Sequence, residues 1–270
     1  MFVIANNITT RDAKVNRMLK QLKAASWSLE QEPANELVQL AKKCVEHGAD
    51  ALEVNLQEHD GRPEAMESVI KILQQVTDRQ LCLSTANAET LEAGLRACKR
   101  PPMVNYISVE EDRLRDMLPL IGKYGAEMIL LVSVPAGPSD AKEMLQKAAI
   151  LVGAANEAGI SNDRILIDPG LIHITNDIGQ RHTAEVKEFL KSVPDLFDPP
   201  VRSTCWIANI SAGAPSRLRP VLESTLLAML AGAGLSSVFM DVFRRENMRT
   251  VRMIRIFDNE LIYSEKDVEL

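Results

Sequence analysis

Seven polar residues stand at or just past the ends of short apolar runs, and their types define the chemistry open to this chain: Asn55, Ser84, Asn87, Asn105, Asp168, Asn209 and Asp241. Asp168 is the most demanding of them. It closes the run "ILID" (165–168) and is stopped at once by Pro169 and Gly170; a carboxylate at the tip of a buried strand is costly unless it is paired. The plain alternative is a turn cap, because Asp ahead of Pro-Gly is ordinary loop chemistry. Amides offer both donors and acceptors, and a carboxylate accepts two hydrogen bonds from an amidine-like N–C–NH₂ edge. Taken together the set suits a flat polar heterocycle, with one or two carboxylates and several amides around it. For each residue alone, a hydrogen bond to its own loop is at least as good an account. The set contains no nucleophile paired with a base. The four cysteines (Cys44, Cys82, Cys98 and Cys205) and the four histidines follow no metal-ligand spacing.

The elements that would position these residues can be read from hydrophobic patterning. Eight apolar runs rich in Val, Ile and Leu, near residues 3, 53, 82, 105, 130, 167, 206 and 239, alternate with segments of helical periodicity. In "ANELVQLAKKCVEHGA", Leu37, Leu40, Ala41, Cys44 and Val45 share one helix face, and the glycine that follows stops the helix. Strands alternating with helices imply right-handed crossovers and a parallel sheet. Eight such repeats in 270 residues predict an α/β fold of the closed (β/α)₈, or TIM-barrel, type. An open doubly wound sheet is the runner-up, but no glycine-rich GxGxxG turn follows the first run. No linker, repeat or low-complexity tract divides the chain, so residues 1–270 are read as one domain. Active sites of such barrels form at the C-terminal ends of the strands, which gathers the seven polar residues at one mouth.

Composition narrows the partners. With 46% hydrophobic and 25% charged residues, the chain has the make-up of a soluble globular protein. A net charge of −6 and only 4% aromatic residues argue against nucleic acid or an anionic membrane as the partner, and favour small molecules or proteins. The N-terminus "MFVIANNITT" has no signal-peptide pattern, and the apolar stretch 224–240 is short and broken by "AGAGLSS". Together with unpaired cysteines, these features lead to the expectation of a cytoplasmic protein without structural metal.

The order of the segments resembles the pterin-binding barrels, and most closely the methyltetrahydrofolate:corrinoid protein methyltransferases. "HGADALEVN" is similar to that family's GGA-ALDLN, "LCLSTANAETLEAGL" to its CLDSTN-AIEAGL, "MVNYIS" to its MINST, "ILIDPGLI" to its YIDPLI, and "IANISAGAP" to its GLSNVS. "GQRHTAEV" and the closing "DNELIYSE" are similar to its AQDHAPEV and its N-x-x-x-Y tail. The resemblance implies that Asn105 and Asp168 hydrogen-bond a pterin ring, and that Asn209 lies near the methyl-bearing ring nitrogen and supports its protonation. It also implies tetrahydrofolate as the methyl carrier, a corrinoid (cobalamin) held by a partner protein, and a homodimer. The direction of transfer stays open.

The chain departs from the pattern in ways that bear on the pterin. Ser84 stands where the family has the aspartate of CLDSTN, and a hydroxyl cannot make the charged two-point contact. Ser84→Asp is the direct test of that loss; Glu53, on the neighbouring strand, could in principle compensate. Asn6, Asn7 and Thr9 replace the family's Glu, Arg and Asn, and Ala212 replaces a polar residue. These changes keep alive two rivals: a pterin- or corrinoid-protein-binding subunit with little catalysis, and a methyltransferase with another pterin or methyl donor. A dihydropteroate-synthase-like activity is disfavoured, since the basic segments that hold its diphosphate are not evident. Arg245, Arg249 and Arg252 share a helix face and read as solvated, with docking of an acidic partner as the alternative. Arg217 and Arg219, ahead of the helix that Pro220 would start, are better placed for an anion. His182 reads as a helix-start or loop residue and Cys205 as core.

Overall fold

A computed structural model describes residues 1–27, 32–56, 62–108, 111–133 and 140–265. Eight parallel strands form one sheet: β1 (Phe2–Thr9), β2 (Ala51–Asn55), β3 (Gln80–Ser84), β4 (Met103–Ile107), β5 (Glu127–Leu131), β6 (Ile165–Asp168), β7 (Arg202–Ser203) and β8 (Ser237–Met240). Their order is β7-β6-β5-β4-β3-β2-β1-β8, so each strand pairs with its neighbour in the chain and β8 returns beside β1. Around them lie α1 (Ala13–Ala24), α2 (Glu32–Glu46), α3 (Pro63–Leu73), α4 (Ala88–Ala97), α5 (Glu111–Tyr124), α6 (Ala141–Glu157), α7 (Gly179–Leu196), α8 (Arg219–Ala231) and α9 (Arg245–Phe257). This is the expected (β/α)₈ barrel. The sequence reading passed over α1, although Asp12 caps it through the N–H groups of Lys14 and Val15, and Val15, Met18, Leu19 and Leu22 form its buried face.

The period-2 alternation of the strands builds the interior in layers. Ile4, Ala51, Cys82, Met103, Ile129, Leu166 and Phe239, from seven strands, pack together as an apolar plug inside the barrel. Intervening residues such as Leu52, Leu83, Val104 and Ile167 point the other way and join the larger core beneath the helices. Two residues further along β2 to β6, the inward positions become Glu53, Ser84, Asn105, Leu131 and Asp168. The apolar plug therefore gives way to polar groups towards the C-terminal mouth.

The seventh run behaves differently from the expectation. "TCWIAN" was read as a strand ending in Asn209, whereas pairing covers only Arg202 and Ser203, and residues Ile207–Ser211 coil into a 3-10 turn. The cause lies in β6. Once Pro169 and Gly170 follow Asp168, β6 has no further ladder groups to offer, and the last bond across is Thr204 N–H to the Ile167 carbonyl, 2.9 Å. Closure against β8 is carried by the Ser236 and Ser237 hydroxyls on the Ser203 carbonyl (2.8 and 2.9 Å), by Phe239 N–H to Cys205 carbonyl (2.8 Å), and by a bridge between Trp206 and Phe239. Among the described residues no helix is long and apolar enough to cross a membrane.

Candidate functional site

A cavity of about 250 Å³ opens at the C-terminal mouth, lined by Arg11, Asn55, Asn105, Leu131, Ser133, Asp168, Gly170, Leu171, Trp206 and Asn209. It is somewhat smaller than a drug-sized pocket, roughly 300 Å³ upwards, and matches a compact ring system better than a long ligand. Four of the seven residues singled out in the sequence, Asn55, Asn105, Asp168 and Asn209, meet here.

Asp168 ends β6 almost fully buried. One carboxylate oxygen accepts the Gly170 N–H at 2.7 Å. Burial nevertheless pushes its carboxyl up to about 7, with the Gly170 hydrogen bond pulling the other way. Gly170 has φ +69°, and a β-carbon there would sit 2.1 Å from Ser133 Oγ, so the turn that supports Asp168 requires glycine. His182 steadies the same turn. It lies in the first turn of α7, buried, with Nε2 3.2 Å from the Gly170 carbonyl. Of the helix-start and loop placements that the sequence allows His182, the structure has the first, and the contact with the Asp168 turn is additional.

Beside Asp168, β2, β3 and β4 contribute one buried network. Glu53 is fully buried, and its Oε1 accepts from Ser84 Oγ (2.5 Å) and Asn55 Nδ2 (3.2 Å). Asn105 Nδ2 in turn donates to Ser84 Oγ at 3.0 Å. Among the described residues, Glu53 Oε2, Asn55 Oδ1 and Asn105 Oδ1 have no hydrogen-bond partner. Burial pushes the Glu53 carboxyl up to about 7, opposed by the Ser84 and Asn55 hydrogen bonds and by the positive charge of Arg11. Buried polar atoms without partners are unusual in native structures and mark places where a ligand or water completes the set. Ser84 itself is buried and is not among the residues lining the cavity.

On the opposite side, Trp206 stacks on Phe239 with ring centroids 5.1 Å apart, and the Arg11 guanidinium lies 5.6 Å from the Trp206 centroid. This gives the mouth a flat cationic and aromatic edge, which no sequence pattern announces: Trp206 stands in an apolar run, and Arg11 comes close to it only through the fold. Asn209 sits on the 3-10 turn, exposed at the rim, and its side chain makes no hydrogen bond with the described residues. The turn itself is anchored: Ser211 Oγ donates to the buried Glu223 at 2.5 Å, and Asn247 Nδ2 donates to the same carboxylate at 2.8 Å.

Two candidates are placed elsewhere. Asn87 lies beyond β3 as the N-cap of α4, its Oδ1 accepting the Thr90 N–H at 2.8 Å. Asp241 accepts from Asn7 Nδ2 at 2.6 Å and from Phe243 N–H at 3.0 Å, so it secures the β1–β8 seam. It borders a separate, larger cavity of about 510 Å³ beside α1 and α2, lined by mixed charges including Asp12, Lys14, Glu36 and Lys43. That cavity lies off the barrel mouth and shares no lining residue with the central one. Cys205 is buried, and burial followed by the nearby Asp168 charge pushes its thiol well above the usual range, which fits core packing. Arg217 is exposed, and Arg219 bonds the Ala214 carbonyl at 3.0 Å. Arg245 and Arg249 are exposed on α9. No cluster of His, Cys, Asp or Glu among the described residues could hold a metal ion.

A mouth of this kind offers hydrogen-bond acceptors, a flat stacking edge and one exposed amide. Comparison with known proteins points the same way. Residues 24–240 match the family model described as "Pterin binding enzyme". A methylcorrinoid:tetrahydrofolate methyltransferase of Eubacterium limosum is 23% identical over 191 residues, 70% of this chain and 69% of that protein. Among solved structures, the dihydropteroate synthase of Xanthomonas albilineans in complex with 7,8-dihydropteroate superposes with TM-score 0.67 at 17% identity, covering 97% of this chain and 95% of that one. The dihydropteroate synthase of Stenotrophomonas maltophilia gives 0.66 at 16% identity, with 97% and 94% covered. At such identities the structural likeness speaks for the barrel fold.

Proposed function

This chain belongs to the pterin-binding enzyme family, and from that premise we propose that it transfers a methyl group between methyltetrahydrofolate and the corrinoid of a partner protein. The observation that carries the reading is the convergence of Asn105, Asp168 and Asn209 on one cavity, from β4, β6 and the turn after β7. The methyltransferase relative supports the reaction type, and its name includes both tetrahydrofolate and a methylcorrinoid.

The chain's own residues fit a reduced pterin. Asp168 would accept from the guanidine-like edge of the ring, a pairing that compensates the charge whose burial raises its pKa. Asn105 and Asn55 bring acceptor oxygens that lack partners among the described residues. The chemical difficulty lies at the ring nitrogen, since a neutral amine leaves poorly or, in the reverse direction, must stay unprotonated to accept the methyl. A group that stabilises the protonated amine lowers the barrier for departure. Asn209, exposed at the rim and with no side-chain hydrogen bond among the described residues, would hold the proton-bearing nitrogen from the side on which the methyl leaves. The corrinoid supplies the cobalt that gives or takes the methyl, and it would approach the open mouth from outside. Within the same proposal the protein takes part in one-carbon metabolism in the cytoplasm, as a single-domain chain forming a homodimer.

The rival of a binding subunit drew its support from Ser84. The Glu53 carboxylate, 2.5 Å from that hydroxyl, weakens the rival by restoring a negative group to the same network. The test is anaerobic methyl transfer with free cobalamin in both directions, followed by the cobalt absorbance. Binding of methyltetrahydrofolate without turnover in either direction would favour the rival.

A further inference from the structure

The network beneath the cavity assigns a role to Glu53 that goes beyond pterin binding as such, while resting on the pterin reading above. We propose that Glu53 is a positioning residue. It draws the amide nitrogens of Asn55 and, through Ser84, Asn105 away from the cavity, so that the site offers acceptor oxygens and selects a ring edge made of N–H donors.

A carboxylate oxygen accepts and does not donate, so the Asn55 group 3.2 Å from Glu53 Oε1 has to be its nitrogen. The Ser84 hydroxyl gives its one proton to the same oxygen at 2.5 Å, and can then only accept from Asn105, whose near group is again the nitrogen. One buried carboxylate thus settles the orientation of two amides that an apolar neighbour would leave free to flip. Both amide oxygens are consequently left without partners among the described residues, on side chains that line the cavity. With Asp168 they make three acceptor groups on this side of the site. Of the common flat heterocycles, one with an amino group flanked by ring N–H satisfies such a set.

The sequence carries a matching signature. The segments resembled by "ALEVN" and "LCLSTAN" have aspartate at the positions of both Glu53 and Ser84. Here one carboxylate is a methylene longer and the other is a hydroxyl that the longer one reaches. A single charge now serves two strands.

The experiment measures binding of methyltetrahydrofolate, and of a tetrahydropterin lacking its 2-amino group, to the wild type, Glu53→Gln and Glu53→Gln/Ser84→Asp. Thermal unfolding of each protein is recorded alongside. Glu53→Gln should bind methyltetrahydrofolate roughly 10- to 100-fold more weakly, as for loss of a charged hydrogen-bond acceptor. It should also discriminate less between the two ligands, with no fall in unfolding temperature. The double variant, with its carboxylate moved one strand across, should recover both affinity and discrimination. Unchanged affinity and discrimination in Glu53→Gln, or weakened binding that merely tracks lost stability, would overturn the assignment. If the wild type binds neither ligand, the pterin reading itself falls and the assignment with it.

Discussion

Replacing Asp168 with asparagine should stabilise the ligand-free protein at pH 8 and change it little at pH 4. The carboxyl has its folded-state pKa raised from 3.8 to about 7 by burial, so between these values the folded chain holds a proton that the unfolded chain has released. Stability therefore falls as pH rises through this window, and the loss is complete above about 7. Three pH units at about 1.4 kcal/mol each give a penalty of about 4 kcal/mol. Relaxation around the buried charge brings the expected gain for Asp168→Asn at pH 8 to about 2–4 kcal/mol. The substitution is nearly isosteric, and its amide oxygen still accepts the Gly170 N–H that Asp168 binds. Glu53, whose carboxyl is also raised to about 7, is present in both proteins and cancels in the difference. Urea unfolding at the two pH values, without ligand, gives the comparison directly, and binding of methyltetrahydrofolate should be lost in the same variant. If Asp168→Asn were equally or less stable at pH 8, the charge would already be compensated within the protein. The reason for expecting a donor-rich ligand at β6 would then disappear.

Two further outcomes follow from the same geometry. Ser84→Asp alone should weaken pterin binding instead of improving it, because it sets a second carboxylate against Glu53. At about 4 Å and an effective dielectric near 20 the repulsion is about 4 kcal/mol, enough to keep one carboxyl protonated; titration calorimetry showing tighter binding would contradict this. Gly170→Ala should lower stability by at least about 1–2 kcal/mol from its left-handed backbone alone. The clash with Ser133 adds to that, and a wild-type thermal unfolding curve would refute the account of the Asp168 turn.

The barrel was legible because parallel strands covered on both faces read as unbroken apolar runs, and seven of the eight lie where the sequence places them, the short β7 being the exception. Asp168 was legible for a related reason: a charge at the tip of such a run, followed by Pro-Gly, has few structural explanations. Asn87 and Asp241 shared the strand-end position but not the direction. Asn87 falls three residues past the end of β3, where capping α4 is its use, and its "NAET" context carried that signal. Asp241 is claimed by Asn7, a partner 234 positions away that no local pattern could reveal. Glu53 was undervalued for the same reason. Its importance comes from Ser84 and Asn105 on two other strands, and only the register of β2, β3 and β4 brings the three together. Shortening of β7 likewise depends on where β6 stops, a property of a neighbouring strand.

Anaerobic methyl transfer between methyltetrahydrofolate and cobalamin, read from the cobalt absorbance for the wild type and Asn209→Ala, decides whether this barrel mouth is a methyl-transfer site. The wild type should transfer the methyl group, and Asn209→Ala should lower kcat on the order of 10²-fold while binding methyltetrahydrofolate nearly as well. A wild type that transfers in neither direction, or an Asn209→Ala variant at full rate, would contradict it.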